Sequence, residues 1–360
     1  MKEPPGKPRS IFDWKAILGI LLSAALLYWA MRGVDFSQVL AEVRRANIGL
    51  LLLSVALVTA VFPLRAWRWK PLLEVAAPNS PFRARFAATT IGFMGNNLLP
   101  ARIGEFARAY ALARQQNASM VAAFASLIAE RLFDAVALVS FLFLAIALPG
   151  FPQVKELAGY DFSGMATTLG LIVGALILVC LLLVLWPTRT VRFVEQRIAP
   201  VLPRAVRRPL VDALAAFLAG LGSLRSPTLM ATLAFQTAVI WLVNGLGFWV
   251  GFMAFHIDVP FAGALFMQSV VALAVSLPSA PGFFGTFEYA ARIVLVELFL
   301  IDVNKALGFA LGFHIGGFIP VTLIGLYYAW RLGLSWREVE HSEETVEAAI
   351  ERELPGRGTT

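Results

Sequence analysis

The chain has 360 residues, 59% of them hydrophobic and only 15% charged, where a soluble domain carries roughly a quarter charged residues. That balance excludes soluble-enzyme folds and describes an all-α, polytopic integral membrane protein with short polar tails. The formal charge is +7, and residues 337–360 oppose it with seven glutamates against three arginines, leaving 27 basic and 16 acidic residues, or +11, before them. A basic excess of this kind fits cytoplasmic loops and anionic lipid headgroups and argues against nucleic acid as a partner.

Residues 1–15 read as a basic, proline-rich tail, 16–335 as the membrane domain and 336–360 as an acidic tail. The apolar run 16–31 predicts a first helix, uncleaved because no small-residue cleavage site follows it. A second span covers 47–66, and its far end meets Arg65, Arg68, Lys70, Arg83 and Arg85, a basic group that the positive-inside rule assigns to the cytoplasm. The next apolar run, 86–99, falls short of the roughly 20 residues that a spanning helix needs. It is followed by Arg102, Glu105, Arg108 and Arg114 at helical spacing. Two readings fit the pattern: a re-entrant hairpin over 86–116, or a short span followed by an interfacial amphipathic helix.

Topology favours the hairpin. Spans over 119–148 and 165–186 lead to the segment 187–209, where six arginines against one glutamate mark the cytoplasmic side. Counting back puts 101–117 on that side too. A connector at 210–224, a span at 228–255, a second pair of apolar arms over 261–300 and a last span at 306–330 complete the chain. The expectation is about six full transmembrane helices and two re-entrant hairpins, with both termini cytoplasmic. The order span, hairpin, span occurs twice with opposite orientation, as in inverted-repeat transporters.

Candidate chemistry concentrates at the hairpins. Pro100 and Gly104 in the first turn, and Pro281, Gly282, Gly285 and Thr286 in the second, are candidate hinge or turn residues. Amide groups at a new half-helix start attract anions, and Arg102 and Arg108 add forked donors, so an anionic phospholipid headgroup suits the site. Asn96 and Asn97 at the tip either satisfy freed backbone groups or touch that headgroup. Glu130, Arg131 and Asp134 lie inside the span 119–148; the spacing of Arg131 and Asp134 makes an internal pair, while Glu130 faces Arg102 or Arg108. A salt bridge locking hairpin to span and direct ligand contact both remain open for these residues and for Glu105. Glu288, with Arg292 one turn on, is the matching feature of the second hairpin. Glu297 and His314 lie deep enough to relay protons, although packing is the default role of such a histidine. Gly308, Gly312 and Gly316 allow close helix approach and form a candidate homo-oligomer face. There is no phosphate loop, metal motif, nucleophile elbow or cysteine cluster, and Cys180 stands alone in an apolar run. No cofactor, metal or catalytic activity is therefore expected, and a membrane-embedded lipid transferase with Glu105 or Glu288 as general base ranks last among the readings. The acidic stretch 338–353 reads as a solvated or disordered tail.

Asn97, Pro100, Arg102, Gly104, Glu105 and Arg108, then Glu130, Arg131 and Asp134, then Pro281, Gly282, Gly285, Thr286 and Glu288, resemble in order and spacing the transmembrane, flippase-like domain of lysylphosphatidylglycerol synthase. The resemblance covers about residues 15–335. It implies a bacterial inner-membrane protein that moves aminoacylated or other phospholipids between leaflets. Since no soluble aminoacyltransferase portion follows the membrane domain in this chain, it implies translocation or lipid binding, with synthesis left to a separate lipid-modifying enzyme.

Overall fold

The computed structural model describes residues 14–73, 77–100, 103–116, 118–152, 186–201 and 226–353, with isolated positions between 156 and 175. Most of the expected span 165–186, the connector 210–224 and Arg102 lie outside them. The described chain is helical, apart from a two-residue antiparallel ladder pairing Glu156–Leu157 with Tyr160–Asp161 in the loop after α6. Helix α1 (Trp14–Met31) turns through 83° into the amphipathic α2 (Phe36–Arg45). There follow α3 (Ile48–Leu72), the hairpin of α4 (Phe82–Leu98) and α5 (Gly104–Gln116), and α6 (Met120–Ala147). After the short basic α7 (Pro187–Phe193) come α8 (Pro227–Ala254), the hairpin of α9 (Phe261–Ala274) and α10 (Thr286–Arg292), and α11 (Val303–Arg331). Two short helices, α12 (Trp336–Glu340) and α13 (Ser342–Glu353), end the described chain.

Helices α3, α8 and α11 are long and apolar enough to cross a membrane, and the bent α1–α2 pair reaches that length and hydropathy only when its two helices are taken together. Helix α6 has 28 residues, about 42 Å, but carries Glu130, Arg131 and Asp134. Leu21, Leu52, Phe235 and Leu323 project from α1, α3, α8 and α11 with 60% or more of their surface exposed, as lipid-facing side chains of a membrane protein do. Helices α3 and α8 pack antiparallel. Asn47 donates from its amide to Ala254 O at one end (2.7 Å), Ser54 Oγ donates to Gly247 O (2.8 Å), and Arg68 reaches Thr237 at the other end (2.9 Å). Gly247 and Gly251 permit the approach, because a Cβ on either would meet Val58 Cγ1 or Ser54 Oγ at 2.5 and 3.1 Å.

Both short-helix pairs close as hairpins. In the first, the arms touch from Gly95 against Gly104 near the tip to Ala84 and Ala87 beside Ala111 and Arg114 at the base. The base sits beside Arg331 at the end of α11, so the chain enters and leaves at the basic end. In the second, Phe299 returns to Gly263 near the start of α9, at the opposite end. The units α3–α6 and α8–α11 thus repeat one order with opposed first helices. They also exchange contacts, since α4 packs on α11 and α9 packs on α6. At the tips, Gly282 lies against Asn97, a Cβ there falling 3.2 Å from Asn97 O.

Two expectations change. The acidic segment is helical and keeps an exposed acidic face, but it is not free of the rest of the chain, because Val339 and Val346 are 2% and 0% exposed in a cluster with Ala107, Leu112 and Leu127 beneath the first hairpin; a hydrophobic stripe seats the short helices despite their glutamates. The face of Gly308, Gly312 and Gly316 is filled within the chain by Glu42 of α2, Phe255 and Val55 of α3, which removes it as a free oligomer surface. Gly104 is a packing glycine that opens α5, whereas Gly282 and Gly285 have φ of +68° and +87° and do make the second turn.

A Cβ at Gly104 would lie 1.9 Å from Gly92 O, so backbone must move to admit it. Gly104→Ala is expected to cost about 1–3 kcal/mol, read as a lowered melting temperature of the purified protein. Gly317→Ala, whose Cβ meets nothing nearer than Val58 Cγ2 at 3.6 Å, leaves that temperature unchanged.

Candidate functional site

Five charged side chains meet in the interior between α3, α5 and α6. Arg65 and Arg68 stand three residues apart on α3, and Glu130 and Asp134 four apart on α6, so each pair shares one helix face. Asp134 Oδ2 accepts from Arg65 Nη1 at 2.8 Å, and its Oδ1 accepts from Arg68 Nη1 at 2.7 Å and from the Trp241 indole at 3.0 Å. Glu130 takes both prongs of Arg108, at 2.8 and 3.0 Å, with Arg65 and Arg68 at 3.4 and 3.3 Å. The Arg108 guanidinium also lies 4.0 Å over the Trp69 ring. None of the five is more than 5% exposed. Three guanidinium groups face two carboxylates, so one positive charge is in excess. The Nε atoms of Arg68 and Arg108 have no hydrogen-bond partner. At the rim the half-exposed Arg131 binds Glu105 at 2.6 Å and stands 3.6 Å from Asp134.

Beside this network, under the two hairpin tips, lies a cavity of about 240 Å³. Its wall is mostly aromatic and aliphatic, with Phe62, Phe93, Trp241, Phe248, Phe283, Phe287 and Phe318 among the lining side chains. The polar groups are Arg65, Asn97, Asn244, Gln268 and His314. Asn97 donates to Thr322 Oγ1 on α11 at 2.8 Å, and Asn244 donates to Gln268 Oε1 at 3.1 Å. Gln268 is 1% exposed and its amide nitrogen has no hydrogen-bond partner, an arrangement that costs free energy unless a ligand or water fills it. His314 Nδ1 lies 2.6 Å from Glu288 Oε1, between the rings of Phe284 and Phe287, while Glu288 Oε2 accepts from the Gly285 amide. Apolar walls with a few convergent polar groups are the usual form of a ligand site.

The structure sorts the expected site residues. Glu130 does meet Arg108, and Asn97 and His314 do reach the cavity. Arg108, Glu130 and Asp134 are enclosed by one another, so they build the site's frame and do not present themselves to a headgroup. Arg131 and Glu105 are paired on its rim. Asn96 accepts from the Gly104 amide at 3.0 Å and caps α5, and Pro100 is buried at the turn. Arg292 donates to Ala30 O and Arg32 O at 2.9 and 2.6 Å and closes the end of α1, and it is not among the residues that line the cavity. Glu297 is exposed, and the partner of His314 is Glu288 instead. Pro281 opens the short turn before Gly282, and the Thr286 hydroxyl is buried without a partner.

The sequence puts Arg65 and Arg68 at the cytoplasmic end of the span 47–66, yet α3 continues to Leu72 and both side chains are buried. Arg85, from the same basic group, is also buried and donates to Ala66 O at 2.9 Å. A basic group after an apolar run looks the same whether it leaves the membrane or turns into a protein core. The i, i+3 spacing of Arg65 and Arg68, matching Glu130 and Asp134 at i, i+4, was the available signal. Gln268 and Asn244 gave none.

The family model for the lysylphosphatidylglycerol synthase TM region matches residues 16–325. The chain belongs to that family. Among its relatives, a UPF0104 membrane protein of Methanocaldococcus jannaschii is 24% identical over 64% of this chain and 90% of the relative. A UPF0104 membrane protein of Methanothermobacter thermautotrophicus is 25% identical over 87% of this chain and 91% of its own length. The glycosyltransferase AglD of Haloferax volcanii is 27% identical over 46% of this chain, but the match covers only 24% of that longer protein. No solved structure matches. A member of this family with several apolar helices is a multi-pass membrane protein.

Removing one partner of a buried ion pair leaves an uncompensated charge and costs about 3–5 kcal/mol, whereas removing both costs far less. Glu130→Leu is therefore expected to destabilise the protein by about that much in thermal melts. Arg108→Met combined with Glu130→Leu should recover most of the loss, since it restores the original excess of one charge.

Proposed function

We propose that this member of the lysylphosphatidylglycerol synthase TM region family is a lipid translocase whose headgroup path runs between the two hairpin tips. The observation that carries the reading is the cavity beneath those tips, with a buried excess positive charge at its Arg65 wall and an unpartnered Gln268 amide inside it. A phosphate would balance the charge, and amide donors from Gln268 and Asn97 would replace the water that it sheds. The aromatic wall suits the glycerol and first acyl carbons. Glycines at Gly282 and Gly285 let the second tip move, as inverted-repeat transporters do around a fixed midplane site.

In this reading the basic end faces the cytoplasm of a cell whose inner membrane holds the protein, and the chain moves or holds lipid and carries out no bond chemistry itself. The match to part of a longer relative named as a glycosyltransferase supports a second reading, a lipid-binding module that works beside a separate lipid-modifying enzyme.

Liposomes containing labelled phosphatidylglycerol separate the two. The wild-type protein should speed the crossing of labelled lipid, and the near-isosteric Gln268→Leu and Asn97→Leu should slow it at least roughly tenfold, the loss of one to two hydrogen bonds to a charged group. If labelled lipids with anionic, zwitterionic and cationic headgroups all cross no faster than in protein-free liposomes, translocation is wrong. Retention of lipid by the purified protein would then favour the module reading.

A further inference from the structure

A second cavity lies away from the tips. It is a cleft of about 450 Å³ at the basic end, between the base of the first hairpin and the end of α11. Three arginines from three elements line it: Arg83 at the start of α4, Arg114 at the end of α5 and Arg331 at the end of α11. Ala84, Ala87 and Ala111 make a floor of small side chains, and no described lining residue is acidic. Arg83 and Arg331 are exposed. The only described neighbours that engage the guanidinium groups are Tyr327, whose hydroxyl accepts from Arg331 at 2.9 Å, and the pair Tyr110 and Glu338 on Arg114.

Glu338 comes from the terminal segment. The turn before it, Leu332 and Leu334, forms part of the cleft wall, and its carboxylate binds Arg114 and accepts from Tyr110 at 3.2 Å. It is held in place because it also caps α12, accepting from the Ser335 amide and hydroxyl at 2.8 Å each. Those two bonds first, and then Arg114, hold its carboxyl down to about 2, so it stays ionised at physiological pH. One carboxylate thus rests on one of the three arginines that line the cleft.

We propose that this cleft is a second anion site, separate from the cavity between the tips, which takes a phosphate group among Arg83, Arg114 and Arg331 and has Glu338 as its built-in competitor. Forked guanidinium donors match phosphate oxygens, and three of them from separate elements surround a ligand in a way that snorkelling side chains on one helix do not. The phosphate could arrive on an anionic lipid at the membrane surface or on a soluble organic phosphate, and the chemistry is the same. Binding would displace Glu338 from Arg114 and loosen the terminal helices from the first hairpin, whose tip forms one side of the proposed lipid path.

The test uses the full chain in nanodiscs. One arm titrates inorganic pyrophosphate by calorimetry into nanodiscs of phosphatidylcholine alone. The other measures, by native mass spectrometry, retention of phosphatidylglycerol from nanodiscs that contain it. Wild type should bind at least one probe. Arg83→Gln with Arg331→Gln, both at exposed positions, should weaken that binding at least tenfold. Glu338→Gln should tighten it roughly two- to fivefold, the worth of an exposed ion pair. Pyrophosphate binding assigns a soluble ligand, and phosphatidylglycerol retention assigns a lipid. The site is refuted if neither probe binds or if the double arginine variant binds as wild type does, and the competitor role is refuted if Glu338→Gln leaves affinity unchanged.

Discussion

Two carboxylates buried in the interior of a membrane protein set the terms for everything around them. Glu130 and Asp134 cannot be held as charges away from water unless cations enclose them, and that demand pulls Arg65 and Arg68 from the end of α3 and Arg108 from α5 into one place. The network therefore fixes the first hairpin against two long helices at once. It explains why α3 continues past the point where its apolar run ends, and why the hairpin stands where its tip can meet the second one. A frame of this kind is expensive to desolvate, so its use is more plainly geometric than stabilising.

The frame is lopsided in charge, and the two halves of the molecule are lopsided in chemistry. The first repeat holds a cluster of arginines and carboxylates, whereas the second holds the Glu288–His314 pair and the flexible glycines of its turn. Between them lies an apolar cavity with few polar anchors. An ion-paired first half, a glycine turn in the second and an apolar gap with a few polar anchors between the tips are the features on which the proposed path for a headgroup rests. At the basic end, the terminal helices pack beneath the rigid hairpin and contribute Glu338 to its base, which ties the tail to the same frame.

Much of this was legible in the sequence. Hydropathy and the basic loops gave the helical class, the two hairpins and their opposed directions, because a 14-residue apolar run between charged segments has few other options. The segment from Glu130 to Asp134 and the turn from Pro281 to Glu288 marked where the chemistry concentrates, and spacing and depth turned Glu130 toward Arg102 or Arg108, of which the structure pairs it with Arg108. What escaped was burial. Arg65, Arg68 and Arg85 read as solvent-facing because pattern records only where charges sit along the chain, and not which helix stands opposite. The terminal segment escaped for the converse reason: Val339 and Val346 are too few to outweigh seven glutamates in composition, yet enough to seat two short helices on a ready apolar surface. Gln268, buried and polar in a plain apolar helix, has no pattern at all.

The central claim, that lipid passes between the hairpin tips, is tested most directly by photo-crosslinking. A phosphatidylglycerol carrying a photoreactive group near its headgroup would be incorporated with the protein, irradiated and mapped by mass spectrometry. Adducts on Phe93, Asn97, Phe283 and Phe318, which line the cavity, are the predicted result. Adducts confined to Leu52, Leu323 and Trp330 on the outer faces of α3 and α11 would contradict it.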